Sequence, residues 1–147
     1  MAKVYKPTAM KRLEGKAIKF LIGRGMVPAT LYVLSVRGRK SGRVYSTPVE
    51  QLLLGGERWL VAPYGEVQWV RNARAAGQVE LSQKGKTETL RIIEANPAEA
   101  APVLKAYITR DRNSRPYFDV PPGAPVADFT AEASRHPVFR LLPAGGR

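Results

Sequence analysis

The stretch YSTPVEQLLLGGERWLVA, Tyr45 to Ala62, decides the fold. Tyr45 to Leu54 has the composition of a strand, Gly55-Gly56 makes a hairpin turn, and Glu57 to Ala62 returns as a second strand. Pro48 sits inside the first run. It removes a ladder donor there, which points to an edge, a bulge or a spot where a ligand lies along the strand. Upstream, Ala29 to Val36 reads as another strand, broken by the turn Arg37-Gly38-Arg39-Lys40-Ser41-Gly42-Arg43. Downstream, Pro63-Tyr64-Gly65 interrupts the chain, and Gln68 to Ala76 has the composition of a short helix stopped by Gly77. Gln78 to Ser82 and Lys86 to Glu94 alternate around a Lys84-Gly85 turn. Asn96-Pro97-Ala98-Glu99 is a helix start, with Asn as N-cap, Pro at the first helical position and Glu in the first turn; the helix is expected to run to Arg110. Asp111 to Pro125 reads as a loop, Val126 to Ser134 as a short helical piece, and Val138 to Leu142 as the last strand. Six short strands at hairpin spacing, interrupted by two or three helices, predict a mainly β, α+β domain built on a six-stranded antiparallel barrel. A Rossmann sheet is excluded, because strand–helix alternation and a G-x-G-x-x-G turn are both missing.

The 147 residues suit one domain over 1–147, with residues 1–28 as an N-terminal helical extension. In that extension, Pro7 to Ile22 places Met10, Leu13, Ala17, Phe20 and Leu21 on one stripe, with Lys11, Arg12, Lys16 and Lys19 on the rest. Gly23 and Gly25 end it. Two readings of this basic amphipathic helix stand side by side: packing across the end of the barrel with its lysines in water, or docking on an anionic membrane surface. No apolar run approaches the roughly 20 residues that span a bilayer, and the N-terminus lacks the apolar block of a secretory signal. The expected location is cytoplasmic, or peripheral at the inner face of the cell membrane.

The residue inventory restricts the chemistry. The chain has no Cys and a single His, His136, so thiolate sites, disulfides and multi-histidine metal centres are excluded; no metal is expected. A Ser–His–Asp arrangement would have to use His136, and no G-x-S-x-G elbow is present. The three Asp, Asp111, Asp119 and Asp128, show no paired-carboxylate spacing and read as caps or solvated groups. Difficult chemistry would therefore belong to a bound organic cofactor. With 24 Lys plus Arg against 12 Asp plus Glu, a net charge of +12, anions are the expected partners. The positive charge is spread along the chain without a helix-turn-helix or RNA-recognition signature, so nucleic acid is not expected.

The sharpest local signal is Gly38-Arg39-Lys40-Ser41-Gly42-Arg43. Its glycines let the backbone turn tightly and expose N–H groups, while Arg39, Lys40 and Arg43 add charge and Ser41 a hydroxyl, as in an anion-binding nest. The alternative is a basic hairpin tip in water. It is not a P-loop, since the Walker spacing and the following helix are absent.

Gly38-Arg39-Lys40-Ser41-Gly42, then Pro48-Val49, then Trp59-Leu60-Val61-Ala62-Pro63-Tyr64-Gly65, then Trp69-Val70-Arg71-Asn72 before a strand, resembles the deazaflavin-dependent nitroreductase family of split β-barrel oxidoreductases over Leu31 to Glu94. The resemblance implies a split barrel that binds reduced coenzyme F420 in a groove and passes a hydride to an organic acceptor. It implies that Arg39, Lys40, Ser41 and Gly42, aided by Arg43, hold the coenzyme's phosphate and acidic tail. Pro48 would lie beside the deazaflavin ring. Ala62, Pro63, Tyr64, Gly65, Gln68 and Trp69 would form the ring pocket's other wall, with Arg71 and Asn72 behind it. Tyr117, Phe118 and Phe129 are the counterparts of substrate-side tyrosines. The chain departs from many relatives in having Tyr45 where a second Arg stands and Pro63-Tyr64 where the nitroreductases show a Ser–Lys pair. The Trp69-Val70-Arg71-Asn72 block looks closer to members thought to handle lipids at membranes, in keeping with the basic N-terminal helix. The expected function is hydride transfer from reduced F420 to an apolar, electron-poor acceptor: a quinone, enone, nitro compound or unsaturated fatty acyl chain. The alternatives are a membrane-associated lipid or cofactor carrier without redox turnover, or a relative that binds FMN.

Overall fold

The computed structural model describes residues 9–26 and 28–144, with side chains from residue 16 onward. The described residues form six strands, β1 (Leu31–Arg37), β2 (Val44–Leu54), β3 (Glu57–Val61), β4 (Gln78–Gln83), β5 (Lys86–Glu94) and β6 (Val138–Pro143), and three α-helices, α1 (Ala9–Gly23) before β1, α2 (Gln68–Ala76) between β3 and β4, and α3 (Pro97–Arg110) after β5. The strands close a barrel in the order β1-β2-β3-β6-β5-β4, every pair antiparallel, β4 returning to β1 through Leu34↔Leu81. The six-stranded antiparallel barrel expected from the strand spacing is the architecture found.

Strand alternation fills the interior. Leu34, Val36, Val49, Leu60, Val79, Leu81, Leu90 and Leu141 form one buried cluster. Arg58, Gln51 and Glu88 share the inward parity of Leu60, Val49 and Leu90 and occupy the end of the barrel near the β2–β3 and β4–β5 turns. There Arg58 Nε donates to Gln51 Oε1 (2.6 Å), and its two terminal nitrogens grip Glu88 (2.9 and 3.0 Å). Helix α2 closes the opposite end, inserting Ala73 into the interior cluster and Val70 between Ala62 and Phe139. Its C-cap is Gly77 in the left-handed region (φ 75°), as its sequence predicts.

Outside the barrel, α3 packs on Leu52, Trp59 and Val61 with Phe118 and Phe129. Its start is the predicted one: Asn96 accepts from the Glu99 N–H (2.8 Å) and Glu99 returns the bond to the Asn96 N–H (3.1 Å), a reciprocal capping box. Two 3-10 segments follow, Arg112–Tyr117 and Val126–Ser134. The first falls where a loop is expected; its Asp111 cap accepts from Asn113 N–H and Ser114 Oγ and winds the chain one residue beyond α3.

Helix α1 lies along the outer wall over β1, with contacts to β2 and β4, and not across a barrel end as one reading of its sequence has it. Ile22 is buried and Lys19 Nζ donates to the Ser46 carbonyl (3.3 Å), whereas Phe20, on the expected inward stripe, is 61% exposed beneath the Arg24 guanidinium. Pro7 and the side chains of Met10, Lys11, Arg12 and Leu13 lie outside the described residues. No helix among the described residues is long and apolar enough to cross a membrane.

Candidate functional site

The basic turn is built from its own backbone. Gly38 N–H donates to Arg43 O (2.6 Å), Gly42 N–H to Gly38 O (3.1 Å) and Arg43 N–H to Ser41 Oγ (3.2 Å). Gly42 takes φ +73°, a conformation that favours glycine. Gly38 is glycine for another reason: a Cβ there would stand 2.6 Å from Tyr45 Cε2. Tyr45 lays its ring on Gly38 and brings its hydroxyl within 3.3 Å of Ser41 Oγ.

These bonds correct one expectation. A nest offers its N–H groups to an anion, but here the N–H groups of Gly38, Arg39, Gly42 and Arg43 are spent inside the protein, leaving those of Lys40 and Ser41. The cationic groups that the turn presents to solvent are therefore side chains: Arg39, Lys40 and Arg43, with Arg71 on α2.

Arg39 is the best placed of them. Its N–H donates to Asn72 Oδ1 (3.1 Å), and its Nη1 donates to the same oxygen (2.7 Å) and to Gln68 Oε1 (2.9 Å). Asn72 is only 4% exposed. The helix that closes the barrel end thus orients the guanidinium through two neutral amides, and no ion pair to it is formed among the described residues. Sequence spacing brings Arg39 to one hairpin and Gln68 and Asn72 to one helix face; only the closure of the barrel joins them.

Pro48 lies where the barrel opens. Gln51 N–H donates to Thr30 O (2.8 Å), so alternate residues of β2 face β1, and the place of the missing Pro48 donor faces the other edge. On that edge the β2–β3 ladder ends at Gln51↔Leu60, while Ala62 N–H turns to Pro137 O (2.8 Å) on the β6 side. Continuing the register would set Pro48 against Pro63. The proline therefore costs no ladder bond, and the two strands part beside it.

Past this split comes the Ala62–Gly65 turn. Ala62 is fully buried, Pro63 half-buried and Tyr64 39% exposed, its ring edge-on to Tyr117 at 5.0 Å. Gly65 takes φ +90°, and Trp69 is half-buried against Phe139. Two of the three residues expected on the substrate side are core residues instead. Phe129 has no exposed surface and Phe118 is 6% exposed, both packed under α3; Tyr117 alone of the three reaches the Tyr64 turn. Two clefts elsewhere hold about 680 Å³, beside Pro97 and Thr130, and about 220 Å³, beside Arg74 and Ile92; neither touches the basic turn or Pro48. Among the described residues no group of acidic, His or Cys side chains is arranged to hold a metal ion.

A family model described as F420H(2)-dependent quinone reductase matches residues 7–120. The chain belongs to this family. Membership in the F420H2-dependent quinone reductase family makes it an oxidoreductase that uses F420. None of the curated proteins compared with the chain matches it. Among solved structures, an F420-H2 dependent reductase (FDR-A) superposes with a TM-score of 0.50 at 20% identity, covering 77% of this chain and 94% of that one. A protein of unknown function from Agrobacterium tumefaciens str. C58 gives 0.59 at 16% identity, over 99% of this chain and 60% of that one. A heme binding protein from Mycobacterium smegmatis gives 0.53 at 15% identity, over 98% and 57%. At these identities the likeness is one of fold, the split barrel. The donor set fits the F420H2-dependent quinone reductase family's coenzyme at its anionic end: a guanidinium oriented on neutral amides, with Lys40 and Arg43 exposed in the same turn, is a cationic site that no carboxylate among the described residues pairs with.

Proposed function

We propose that the protein transfers a hydride from reduced F420 to an apolar, electron-poor acceptor such as a quinone, enone, nitro compound or unsaturated acyl chain. The observation that carries this reading is Arg39, held by Gln68 and Asn72 on the helix that follows the Ala62–Gly65 turn. When bound, the reduced deazaflavin supplies the hydride. Arg39, Lys40 and Arg43 would hold its phosphate and acidic tail; Pro48 and the Ala62–Gly65 turn would flank the ring. No side chain has to be a nucleophile, so the protein's contribution is placement, and positioning effects of this kind are worth up to about 7–11 kcal/mol. Tyr64 and Tyr117, whose rings meet edge-on at the Pro63–Gly65 turn, are the hydroxyl-bearing side chains proposed to supply a proton.

Titration with F420 and with FMN, read by tryptophan quenching, tests the reading. Trp69 stands on the expected wall and Trp59 lies under α3 with its indole N–H on Leu54 O (3.2 Å), so a Trp59→Phe protein reports from Trp69 alone. Quenching by F420, followed by oxidation of F420H2 on adding menadione, is expected. Quenching by FMN only would replace F420 with FMN, and quenching by neither would remove the enzyme reading.

A second reading is favoured by α1 and the turn after it, where Ile18 and Phe20 on the helix and Met26 beyond it are 38%, 61% and 68% exposed, beside Lys16 and Arg24. Such a face suits an anionic bilayer, each basic residue adding about 1 kcal/mol near the surface. Sedimentation with phosphatidylglycerol vesicles should fall as salt rises; salt-independent binding would count against it.

A further inference from the structure

His136, the single histidine of the chain, has no part in the hydride-transfer reading, yet it is buried directly behind the wall of the proposed ring site. Its Nδ1 lies 2.8 Å from the Pro63 carbonyl, and that oxygen can only accept, so Nδ1 carries the proton. Its neighbours hold the same turn: Pro137 O accepts from Ala62 N–H (2.8 Å), and Arg135 O lies 3.1 Å from where a Gly65 Cβ would be. The His136 ring stacks on Phe118 at 3.8 Å and 9°, next to Tyr117, which contacts Tyr64. The backbone of Tyr117 also acts on the ring as a hydrogen-bonding group, and Glu132 Oε1 stands 3.4 Å from Nε2. Glu132 is itself fully buried, its Oε2 accepting from the N–H groups of Asp119 and Val120 (2.9 Å each) and its Oε1 from Arg135 (2.7 Å). One side chain thus joins the wall turn, the segment at 117–118 and the last 3-10 segment.

We propose that His136 is a positioning residue: its Nδ1–H fixes the Pro63 carbonyl and so sets the face that the Pro63–Gly65 turn presents to the ring. This rests on the F420 reading above for its consequence, but the clamp itself can be tested without cofactor. In tag-free protein labelled with 15N-histidine the single imidazole is expected at pH 7 as the Nδ1–H tautomer. An Nε2–H tautomer would overturn the proposal in the wild-type protein, whatever the variants do. His136→Phe keeps the stack on Phe118 and loses the donor, whereas His136→Asn keeps a donor near the Nδ1 position. Losing the donor leaves a buried carbonyl unpaired, so amide exchange at Gly65 and Val67 is expected to rise about tenfold in His136→Phe, with the β1–β2 ladder unchanged and His136→Asn restored. With F420H2, kcat should fall about tenfold in His136→Phe while KM stays within about twofold, because the basic turn still grips the tail. Unchanged exchange in His136→Phe, or equal defects in both variants, would overturn the clamp. A wild-type protein that shows the tautomer and the exchange pattern but binds no F420 would instead overturn the cofactor reading.

Discussion

Asn72 shows how a residue's role changes between sequence and fold. The family resemblance places it behind the ring, as a contact to the coenzyme; in the structure it is buried and spends its carbonyl on Arg39 twice. Its expected effect is therefore on the orientation of a cation. Asn72→Ala should weaken F420 binding roughly fivefold, the value of about 1 kcal/mol for a hydrogen bond to a partly exposed charge, and should leave an acceptor's KM unchanged. An F420 titration of the variant decides it; an unaltered dissociation constant would mean that Arg39 needs no support. Gly38 gives an independent test of the turn. Gly38→Ala drives a methyl into the Tyr45 ring and should cost about 1–3 kcal/mol of unfolding free energy by overpacking. Because Ser41 Oγ and Arg43 O would lie only 3.1 and 3.2 Å from the new Cβ, adding Tyr45→Ala should recover part of the loss and not all. Additive losses in a urea-denaturation cycle would show that the ring contact is not the cause.

At the scale of elements, what could be read from the sequence was what is decided locally. The Gly55-Gly56 hairpin, the bounds of α2 at Gln68 and Ala76 and the capping box at Asn96 each depend on residues a few positions apart, and each forms where its chemistry requires. The rest depends on what the barrel brings together. Nothing in Glu132 marks a fully buried carboxylate: Arg135 is a local partner three residues on, but the N–H groups of Asp119 and Val120 that share its other oxygen meet it only after the segment folds back. The family resemblance makes Phe118 and Phe129 counterparts of substrate-side tyrosines, yet both pack under α3, an arrangement set by the fold and not by neighbouring residues. The seating of α2 is likewise non-local. Arg74 grips Glu66 (2.6 and 2.8 Å) and Glu94 (2.8 and 2.7 Å) at once, which holds the Glu66 carboxyl below the usual range and raises the Arg74 guanidinium further. All three side chains are more than a third exposed, so the network is worth only about 1 kcal/mol. Arg74→Met, which leaves two carboxylates facing each other, should lower Tm by roughly 3–5 °C at low salt, and by less in 1 M NaCl. A loss independent of salt would assign the effect to packing of the arginine stem.

For the whole molecule, the buried His136 should set how stability responds to acid. Burial lowers its pKa from 6.5 to about 4, despite the hydrogen bond to Pro63 O, with the Arg135 charge acting in the same direction as burial. A histidine whose folded pKa lies below its unfolded one binds protons in the unfolded chain first. Its stabilising contribution is whole above pH 6.5, declines as the pH falls from 6.5 towards 4, and is spent below that. A shift of this size corresponds to about 3 kcal/mol, a large share of the 5–15 kcal/mol typical of a domain. Carboxylates held low by arginines, Glu66 and Glu88 among them, lose their own contribution at lower pH, from about 4.5 downwards, so the two effects separate along the pH axis. Urea denaturation of wild type and His136→Asn between pH 4 and 8 isolates the histidine. The wild-type curve is expected to approach or cross below that of the variant as the pH falls from 6.5 to 4, and to run parallel to it above 7. Parallel curves throughout would mean that Glu132, 3.4 Å from Nε2, accepts the imidazolium proton in place of solvent and holds the histidine near its ordinary pKa, with Asp119 and Arg135 closing the network around it.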